Sequence, residues 1–391
     1  MFNPAYSQFI SYKPKMTVPE GAQALRHFCA SNALAGTELF LDDFVPRNSP
    51  LFSNAAEKQA LIAQLLAHGV KRLHAAYWAW PTAFLTKNGW DALFQRFGGA
   101  DAVRAYYGDL TGAHLYARWV DEYALGAALG VEAYSFHLID YAPIDGLWSF
   151  TQTREEICSA MAELLQCFID RLDASGLLGP DAPVIEIENA GWGLEYGIQT
   201  AEDFAELFLK LDDPHGKVRI GWDINHLLHA IGVDTASGTA RFFLPEAEIT
   251  DSMRALEKSL GTDPQAFAQA WVAQNLLAPA TANKVISVHL SDCALKTTAY
   301  FRRGRLEEPY ASQIDALADM DAKEAYGVEL VLRHYDSHLP LGRGVLSGRA
   351  LRQTLEALAA QNTGFALLHE LKNAHDLPRD YKIQRDALDE V

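Results

Sequence analysis

Nine acidic and histidine residues stand at or just after the ends of short apolar segments in this chain. They are His74, His137, Glu188, Asp223, His226, His289, Asp336, His338 and Glu370. Imidazole and carboxylate groups are the ligands with which proteins hold Zn²⁺, Mn²⁺ and Fe²⁺. If the chain brings these segments together, the nine residues form a site for divalent metal ions.

Two of the candidate pairs have spacings that suit chelation. Asp223 and His226 form a D-x-x-H pair in WDINH, where both side chains can turn inward as the chain leaves a strand. Asp336 and His338 alternate on an extended loop segment, so they can hold one ion from two sides. Taken alone, the first pair is equally consistent with a capping aspartate followed by a surface histidine.

The segment VIEIEN contains two glutamates, Glu186 and Glu188, which share strand parity. In a barrel strand one parity points inward, and a buried carboxylate is costly unless it is paired or bound to a metal. We expect Glu188, nearer the carboxyl end, to be the ligand and Glu186 to form an ion pair lower in the barrel. His369 precedes Glu370 and should point to the opposite side, in a structural role.

Strand and helix patterns alternate along the whole chain, which is typical of a parallel sheet covered by helices. About eight strands are predicted, over residues 8–12, 36–43, 70–78, 131–139, 183–189, 218–225, 284–292 and 364–371. We therefore predict an α/β fold, a (β/α)8 TIM barrel with long inserted loops. In that fold the loops after the strands open on one face, so the candidate ligands would converge there.

The chain has 391 residues, well above the roughly 250 of a minimal barrel of this kind. Most of the excess lies in three stretches, at about residues 81–112, 234–283 and 295–327. The first stretch is rich in glycine and aromatic residues and is predicted to be a lid or small subdomain. No repeat or Gly/Ser linker divides the chain, so residues 1–391 are predicted to form a single domain.

Composition narrows the classes of partner. The formal net charge of −17 disfavours a polyanionic partner such as nucleic acid, unless a basic patch or bound cations reverse the local sign. The chain contains no run of about 18 apolar residues, so no membrane span is predicted. The four cysteines lack CxxC spacing, and MFNPAYSQFISYKPK has no apolar signal-peptide core. These features favour a cytoplasmic protein.

The candidate ligands belong to motifs that occur in a recognisable order. The motifs are HAAY (74–77), SFHL (135–138), IENAGWG (187–193), WDINH (222–226) with GVD (232–234), VHLSD (288–292) and DSHLPLGRG (336–344). In this order they resemble the xylose isomerase-like TIM-barrel superfamily (AP endonuclease family 2), and within it the endonuclease IV branch. VHLSD departs from the branch in having Ser291 where that branch has asparagine.

The resemblance implies three divalent ions, usually zinc, with manganese, cobalt, magnesium or iron as alternatives. It implies one ion on His74, His137 and Glu188. Glu188 would bridge to a second ion held with Asp223, His289 and Glu370. The third ion would be held by His226, Asp336 and His338. Glu188 and Glu370 would be the catalytic carboxylates.

The endonuclease IV resemblance implies hydrolysis of phosphodiesters at abasic sites in DNA. Arg47, Tyr77 and Trp78 would then contact the substrate beside the metals. The branch's helix-wedging region is replaced here by VPRNSP, in which only Arg47 matches, and a lidded mouth would suit a small molecule better than a duplex.

An alternative is isomerisation or epimerisation of a small polyol or keto-sugar at one Mn²⁺, Mg²⁺ or Co²⁺ ion. Sister families do this with the four ligands that match Glu188, Asp223, His289 and Glu370, where a carboxylate also transfers the proton. Their second acid falls here on Leu194, and their arginine falls on Leu295 with Lys296 beside it as a substrate contact. A non-catalytic metal-binding barrel is a weaker alternative. The sequence predicts no oligomeric state.

Overall fold

The computed structural model describes residues 6–12, 21–75, 79–140, 151–191, 197–234, 237–242, 244, 248–293, 301–302, 305–306, 338–362, 364–371 and 376–389. Tyr77, Trp78, Lys296 and Asp336 lie outside the described residues, as does most of the third predicted insertion. The predictions made for these four residues therefore stay predictions.

Eight parallel strands close into a barrel, in the order β1-β12-β9-β6-β5-β4-β3-β2. The strands are β1 (Gln8–Tyr12), β2 (Gly36–Phe40), β3 (Val70–His74), β4 (Ala133–His137), β5 (Val184–Glu188), β6 (Val218–Asp223), β9 (Val285–Leu290) and β12 (Ala366–Glu370). Two short hairpins stand outside the barrel, β7 (Ile231–Val233) with β8 (Ala240–Phe242) and β10 (Phe301–Arg302) with β11 (Arg305–Leu306). The predicted (β/α)8 barrel is confirmed.

Helices alternate with the barrel strands, as the periodicity predicted. They are α1 (Ala22–Ser31), α2 (Ala55–Ala67), α3 (Thr82–Phe97), α4 (Ala100–Tyr107), α5 (Ala113–Leu129), α6 (Arg154–Ala174), α7 (Ala201–Lys210), α8 (Ile224–Leu228), α9 (Asp251–Leu260), α10 (Pro264–Leu276), α11 (Gly348–Gln361) and α12 (Leu377–Asp389). Short 3-10 turns occur at Leu41–Asp43 and Ala282–Lys284. None of the helices in the described ranges is long and apolar enough to cross a membrane.

Side-chain caps explain why several helices begin where they do. The Thr153 side chain accepts from the backbone N–H of Glu156, whose carboxylate accepts from the Thr153 N–H in return, and this capping box starts α6. Thr200 and Asp203 form the same arrangement at the start of α7. Because each box satisfies N–H groups that have no partner inside the helix, the helix start is fixed by sequence.

The end of β6 is set by a candidate ligand. The Asp223 carboxylate accepts from the N–H of Asn225 at 2.7 Å and caps the short helix α8. The sequence pattern extended this strand to Asn225, and that boundary is wrong. The strand stops two residues earlier because the carboxylate captures the backbone donor and turns the chain into a helix.

The first insertion folds into α3 and α4 and shares its apolar core with the barrel. Phe84 and Tyr107 belong to the same buried cluster as the barrel and helix residues. The Asp140 carboxylate, just beyond β4, accepts from the N–H groups of Ala83 at 2.7 Å and Phe84 at 3.0 Å at the start of α3. This buried carboxylate therefore adds hydrogen bonds to the apolar packing that joins the insertion to the barrel.

The second insertion contains strand β8 and helices α9 and α10, and β7 lies just before it. Of these elements only the helices were predicted. Three strand residues on each side are too few for a clear alternation of polar and apolar residues, so the hairpin left no sequence signal. The indole N–H of Trp271 on α10 donates to the carbonyl of Leu227 on α8 at 2.9 Å. This bond fixes the insertion against the turn that follows β6.

We predict that the contribution of the buried Asp140 carboxyl to the free energy of unfolding depends on pH. Burial raises the pKa of this carboxyl to about 7, against the opposing hydrogen bonds from Phe84, Ala83 and Gln152. An unfolded aspartate has a pKa near 3.9, so between about pH 4 and pH 7 the folded state holds a proton that the unfolded state has lost. The stability contribution of Asp140 should therefore fall as the pH rises through that window.

The measurement is urea unfolding of the wild type and Asp140→Asn at several pH values. Between about pH 4.5 and pH 8, the wild type should lose on the order of 2–4 kcal/mol of unfolding free energy relative to the variant. Asp101→Asn, at an exposed carboxylate, controls for the loss of one charge. Parallel pH profiles for wild type and Asp140→Asn would contradict the prediction.

Candidate metal centre

The register of the strands brings the candidate ligands to one level of the barrel. His137 on β4 lies opposite Glu188 on β5, and Asp223 on β6 lies opposite His289 on β9. These positions are at or near the carboxyl ends of parallel strands, which open on a common mouth. Their convergence therefore follows from the pairing of the strands.

The ligand-type atoms of the candidate residues form three overlapping groups, and within each group they lie within 4.8 Å of one another. The groups are His74, His137 and Glu188; Asp223, His226 and His338; and Glu188, Asp223, His289 and Glu370. A fourth group of this kind joins His289 to Glu38 and Glu186. Glu188 and Asp223 each belong to two groups, and every member is buried. The structure thus brings together eight of the nine residues singled out by sequence, Asp336 lying outside the described ranges.

The spacings within the groups suit ions of the size of zinc. The Oε2 atom of Glu188 is 3.3 Å from His74 Nε2 and 3.6 Å from His137 Nε2. The Oδ2 atom of Asp223 is 3.3 Å from His226 Nε2 and 3.8 Å from His338 Nε2. Two ligand atoms each about 2.0–2.1 Å from a tetrahedral ion lie about 3.3–3.4 Å apart. Two of these four pairs thus match ligand-to-ligand spacing, and all four are longer than good hydrogen bonds.

Backbone carbonyls orient the histidines as they do in metal sites. Nδ1 of His226 lies 2.9 Å from the carbonyl oxygen of Asn189, and Nδ1 of His74 lies 3.0 Å from that of Ala75. When Nδ1–H donates to such an acceptor, Nε2 keeps its lone pair. Nε2 of His74 then faces Glu188, and Nε2 of His226 faces Asp223.

Asp223 supplies a direct test of whether a cation fits. Its Oδ2 atom is buried and accepts no hydrogen bond from the described part of the chain. Its backbone is clamped by Asn189, whose Oδ1 accepts the Asp223 N–H at 2.6 Å and whose Nδ2 donates to the Asp223 carbonyl at 3.2 Å. A buried carboxylate oxygen held in place without a donor is costly in water-free surroundings. A divalent ion at this position would remove that cost, so the residues fit a metal.

The charge of the centre shifts the titration of its members. Burial alone would raise the pKa of Glu188, yet His137, His289 and His74 hold it well below its usual range. Burial raises the pKa of Asp223, against the opposing pull of nearby histidines. Burial disfavours a protonated His289, but the surrounding glutamates raise its pKa well above the ordinary value. The cluster thus stabilises positive charge strongly.

Beneath the candidate ligands lies a second polar layer built on Arg72. Its guanidinium pairs with Glu186 and lies 3.6 Å from Glu38 Oε2. Burial opposes ionisation of Glu186, but Arg72 and His289 lower its pKa to about 2. Glu186 Oε1 is 3.4 Å from His289 Nε2, so Nδ1 of that histidine faces Glu370 at 2.9 Å. In the structure Glu186 takes the ion-pair position expected of the glutamate that lies lower in the barrel.

His369 has the structural setting expected from its parity. Its Nε2 lies 3.0 Å from Gln8 Oε1 and its Nδ1 accepts from Gln384 Nε2 at 2.9 Å, away from the ligand groups. Burial lowers its pKa to about 3. A neutral histidine at this position joins β12 to β1 and α12.

Arg47 is occupied by contacts with its own surroundings. Its guanidinium lies 3.8 Å from Asp42 and 3.4 Å from the Tyr106 hydroxyl on α4, and about a third of the side chain is exposed. Contact with a substrate, predicted from the sequence, stays a prediction.

Sequence reasoning missed the residues that support the ligands. Glu38, Arg72 and Asn189 were given no role, although the first two are charged residues inside the apolar strands GTELF and VKRLH. A buried charge within an apolar strand is itself a signal of an ion-pair layer. Asn189 carries a weaker signal, since only its place after Glu188 distinguishes it.

We predict that Arg72 is needed for folding stability. Arg72→Met would leave two buried carboxylates without their cation, and breaking a buried pair in this way costs about 3–5 kcal/mol. Lys382→Met removes a cation from the exposed pair with Asp386 and should cost under about 1 kcal/mol. Urea unfolding at neutral pH measures both changes. Equal effects from the two substitutions would contradict the role assigned to the inner layer.

No family model matches the sequence, and no curated protein matches it either. Solved structures that match the backbone include endonuclease IV from Thermus thermophilus, with 16% identity over 98% of this chain and 100% of that one and a TM-score of 0.48. A 3-keto-D-glucoside 4-epimerase from E. coli matches at 12% identity, over 98% of each chain, with a TM-score of 0.47. An IolI protein with a bound zinc atom matches at 13% identity, over 98% of each chain, with a TM-score of 0.49.

Likenesses at 12–16% identity concern the fold alone. By its own strand order, this chain is a (β/α)8 barrel.

Proposed function

We propose that this chain is a divalent-metal-dependent hydrolase of phosphodiester bonds with a multinuclear, zinc-type centre. The observation that carries the proposal is the overlap of three ligand groups through Glu188 and Asp223. A single ion needs only one of these groups. The other two would be buried clusters of histidine and carboxylate without a purpose, and such clusters are costly.

Each group is assigned one ion. The first is held by His74, His137 and Glu188; the second by Glu188, Asp223, His289 and Glu370; and the third by Asp223, His226 and His338, with Asp336 proposed from the sequence. This assignment differs from the one implied by resemblance in giving Asp223 to two ions. It follows the distance of 3.3 Å between Asp223 Oδ2 and His226 Nε2.

Clustered divalent ions, when bound, supply Lewis acidity to the phosphoryl and leaving oxygens of a substrate. The protein's own residues hold that chemistry in a fixed frame. Glu188 belongs to the first and second ligand groups and Asp223 to the second and third, so these two carboxylates fix the distances between the groups. We assign Glu370 the role of proton acceptor, because a carboxylate that holds an ion through one oxygen keeps a second oxygen able to accept a proton.

Bound ions would also resolve the conflict between an acidic chain and an anionic substrate. The four proposed carboxylate ligands carry a charge of −4, and three divalent ions carry about +6, which leaves the mouth near +2. The net charge of −17 belongs to the whole chain and is screened within about 10 Å at ordinary salt. A phosphodiester is then attracted at short range. Abasic-site DNA is the first substrate to test, with Arg47, Tyr77 and Trp78 as proposed contacts.

The second candidate is a mononuclear isomerase or epimerase of a small polyol or keto-sugar. The four-residue group of Glu188, Asp223, His289 and Glu370 favours it, since all four members are buried and sufficient for one ion. A neutral sugar would also be indifferent to the charge of the chain. Lys296 would then be the proposed substrate contact.

We predict that removing the third ion's ligands abolishes hydrolysis. The double variant Asp336→Ala/His338→Ala should lower kcat on bis(p-nitrophenyl) phosphate and on abasic-site duplex by about 100-fold or more, because one ion and its charge are lost. Chelation should remove activity from the wild type, and zinc should restore it. His215→Ala, at an exposed histidine paired with Asp173, is the matched control.

Two results would decide against the hydrolase. One is a double variant that is as active as the wild type. The other is a protein that leaves phosphodiesters intact but interconverts ketoses in a metal-dependent way. The second result would favour the four-ligand isomerase instead.

A further inference from the structure

The loop that carries His338 is attached to the barrel by one carboxylate. Asp292 follows β9, is buried, and accepts five backbone hydrogen bonds. They come from Cys293 at 2.8 Å, Val345 at 2.9 Å and Leu346 at 3.0 Å on Oδ1, and from Gly342 at 3.0 Å and Gly344 at 2.8 Å on Oδ2. Four of these five donors belong to the loop, and they are divided between the two carboxylate oxygens, so both oxygens are needed to hold the loop in this conformation.

The backbone at His338 is held in a conformation that it would not adopt by itself. Its φ is +41°, in the left-handed region of backbone conformation that residues other than glycine rarely adopt. Such strain persists only where the surroundings determine it. Next to His338, Leu339 and Asp292 exchange two backbone hydrogen bonds, at 2.7 and 2.9 Å. The attachment at Asp292 thus begins one residue after the strained histidine.

Gly344 shows how closely the loop approaches this anchor. A Cβ at that position would lie 2.3 Å from the Cys293 carbonyl oxygen and 2.5 Å from Asp292 Oδ1. Neither distance is tolerated by real side chains, and the first involves backbone that cannot move freely. The loop can therefore close on Asp292 only because residue 344 is a glycine.

The same residue also touches the other half of the third ligand group. The Asp292 carbonyl accepts from Asn225 Nδ2 at 3.0 Å. Asn225 lies between Asp223 and His226, in the turn that presents both of them. Asp292 therefore joins the two parts of the chain that must meet for Asp223, His226 and His338 to form one group.

We infer that Asp292 is a positioning residue that holds His338 in the candidate metal centre and so determines whether the third ligand group exists. It acts through the loop and belongs to none of the ligand groups. Only the reading of His338 as a metal ligand rests on the proposed function. The attachment of the loop itself is independent of any ion.

The first test uses metal-free protein, so that it does not depend on the proposed function. Asp292→Asn replaces one acceptor oxygen by an amide that faces backbone donors, which should release the loop. Diethyl pyrocarbonate followed by peptide mapping measures the exposure of His338, which is 1% exposed in the structure. We expect its modification rate to rise about tenfold or more, as a local opening of the loop requires, with circular dichroism unchanged.

Two further variants make the test specific. Gly344→Ala should expose His338 in the same way, because its Cβ would collide with the Cys293 carbonyl and Asp292 Oδ1 and push the loop off the anchor, while residue 292 stays an aspartate. Asp203→Asn removes a buried capping carboxylate at the start of α7 and should leave the modification of His338 unchanged. If His338 stays protected in both folded loop variants, the inference is overturned.

The second test measures metal binding in the same proteins. After reconstitution with cobalt, Asp292→Asn should bind one ion per chain about 10–100-fold more weakly and lose part of the visible absorption, as loss of a supporting partner does elsewhere. Reactive His338 with unchanged metal binding would support the positioning role and count against the third ion of the proposed function. Protected His338 with weakened metal would overturn the positioning role and leave the proposed function standing.

Discussion

The rest of the structure depends on the burial of several carboxylates beside one another at the mouth of the barrel. Glu188, Asp223 and Glu370 are almost fully excluded from water. In such surroundings each negative charge is stable only with a nearby cation or donor. Histidines supply part of this compensation, as the raised pKa of His289 shows. The spacing of the remaining atoms is that of ligands around divalent ions, and the proposed function follows from that requirement.

One layer below the candidate ligands, the buried carboxylates are compensated by a cation of the protein itself. Arg72 neutralises Glu38 and Glu186 below the ligands, and Glu186 in turn faces His289. Interior strand positions thus carry two polar layers, one closed by a guanidinium and one suited to metals. A guanidinium is permanently charged, whereas metal ions can exchange, so the lower layer supplies a rigid base for the upper one. Asp292 and Asn189 extend this support to the backbone around the ligands.

Much of the fold and of the ligand set could be predicted because both follow local rules. The alternation of apolar strands and helices predicts the barrel, and ligand-type residues at strand ends predict the mouth. The six candidates on barrel strands meet because the register pairs their strands, while His226 and His338 join them from the turn after β6 and from a loop. Sequence reasoning did not find Arg72 or Asp292, whose partners are 114 and about 50 residues away along the chain. Their roles depend on long-range closure, which no local pattern records. The end of β6 was misjudged for a similar reason, since a capping bond overrode strand propensity.

The proposed centre requires that the three overlapping groups hold several ions at once. The most direct measurement is elemental analysis of protein purified without chelator, combined with anomalous diffraction at the zinc edge. We expect about three ions per chain, two of them sharing Glu188 and two sharing Asp223. A single ion on Glu188, Asp223, His289 and Glu370, or no ion after reconstitution with zinc, would contradict the multinuclear centre.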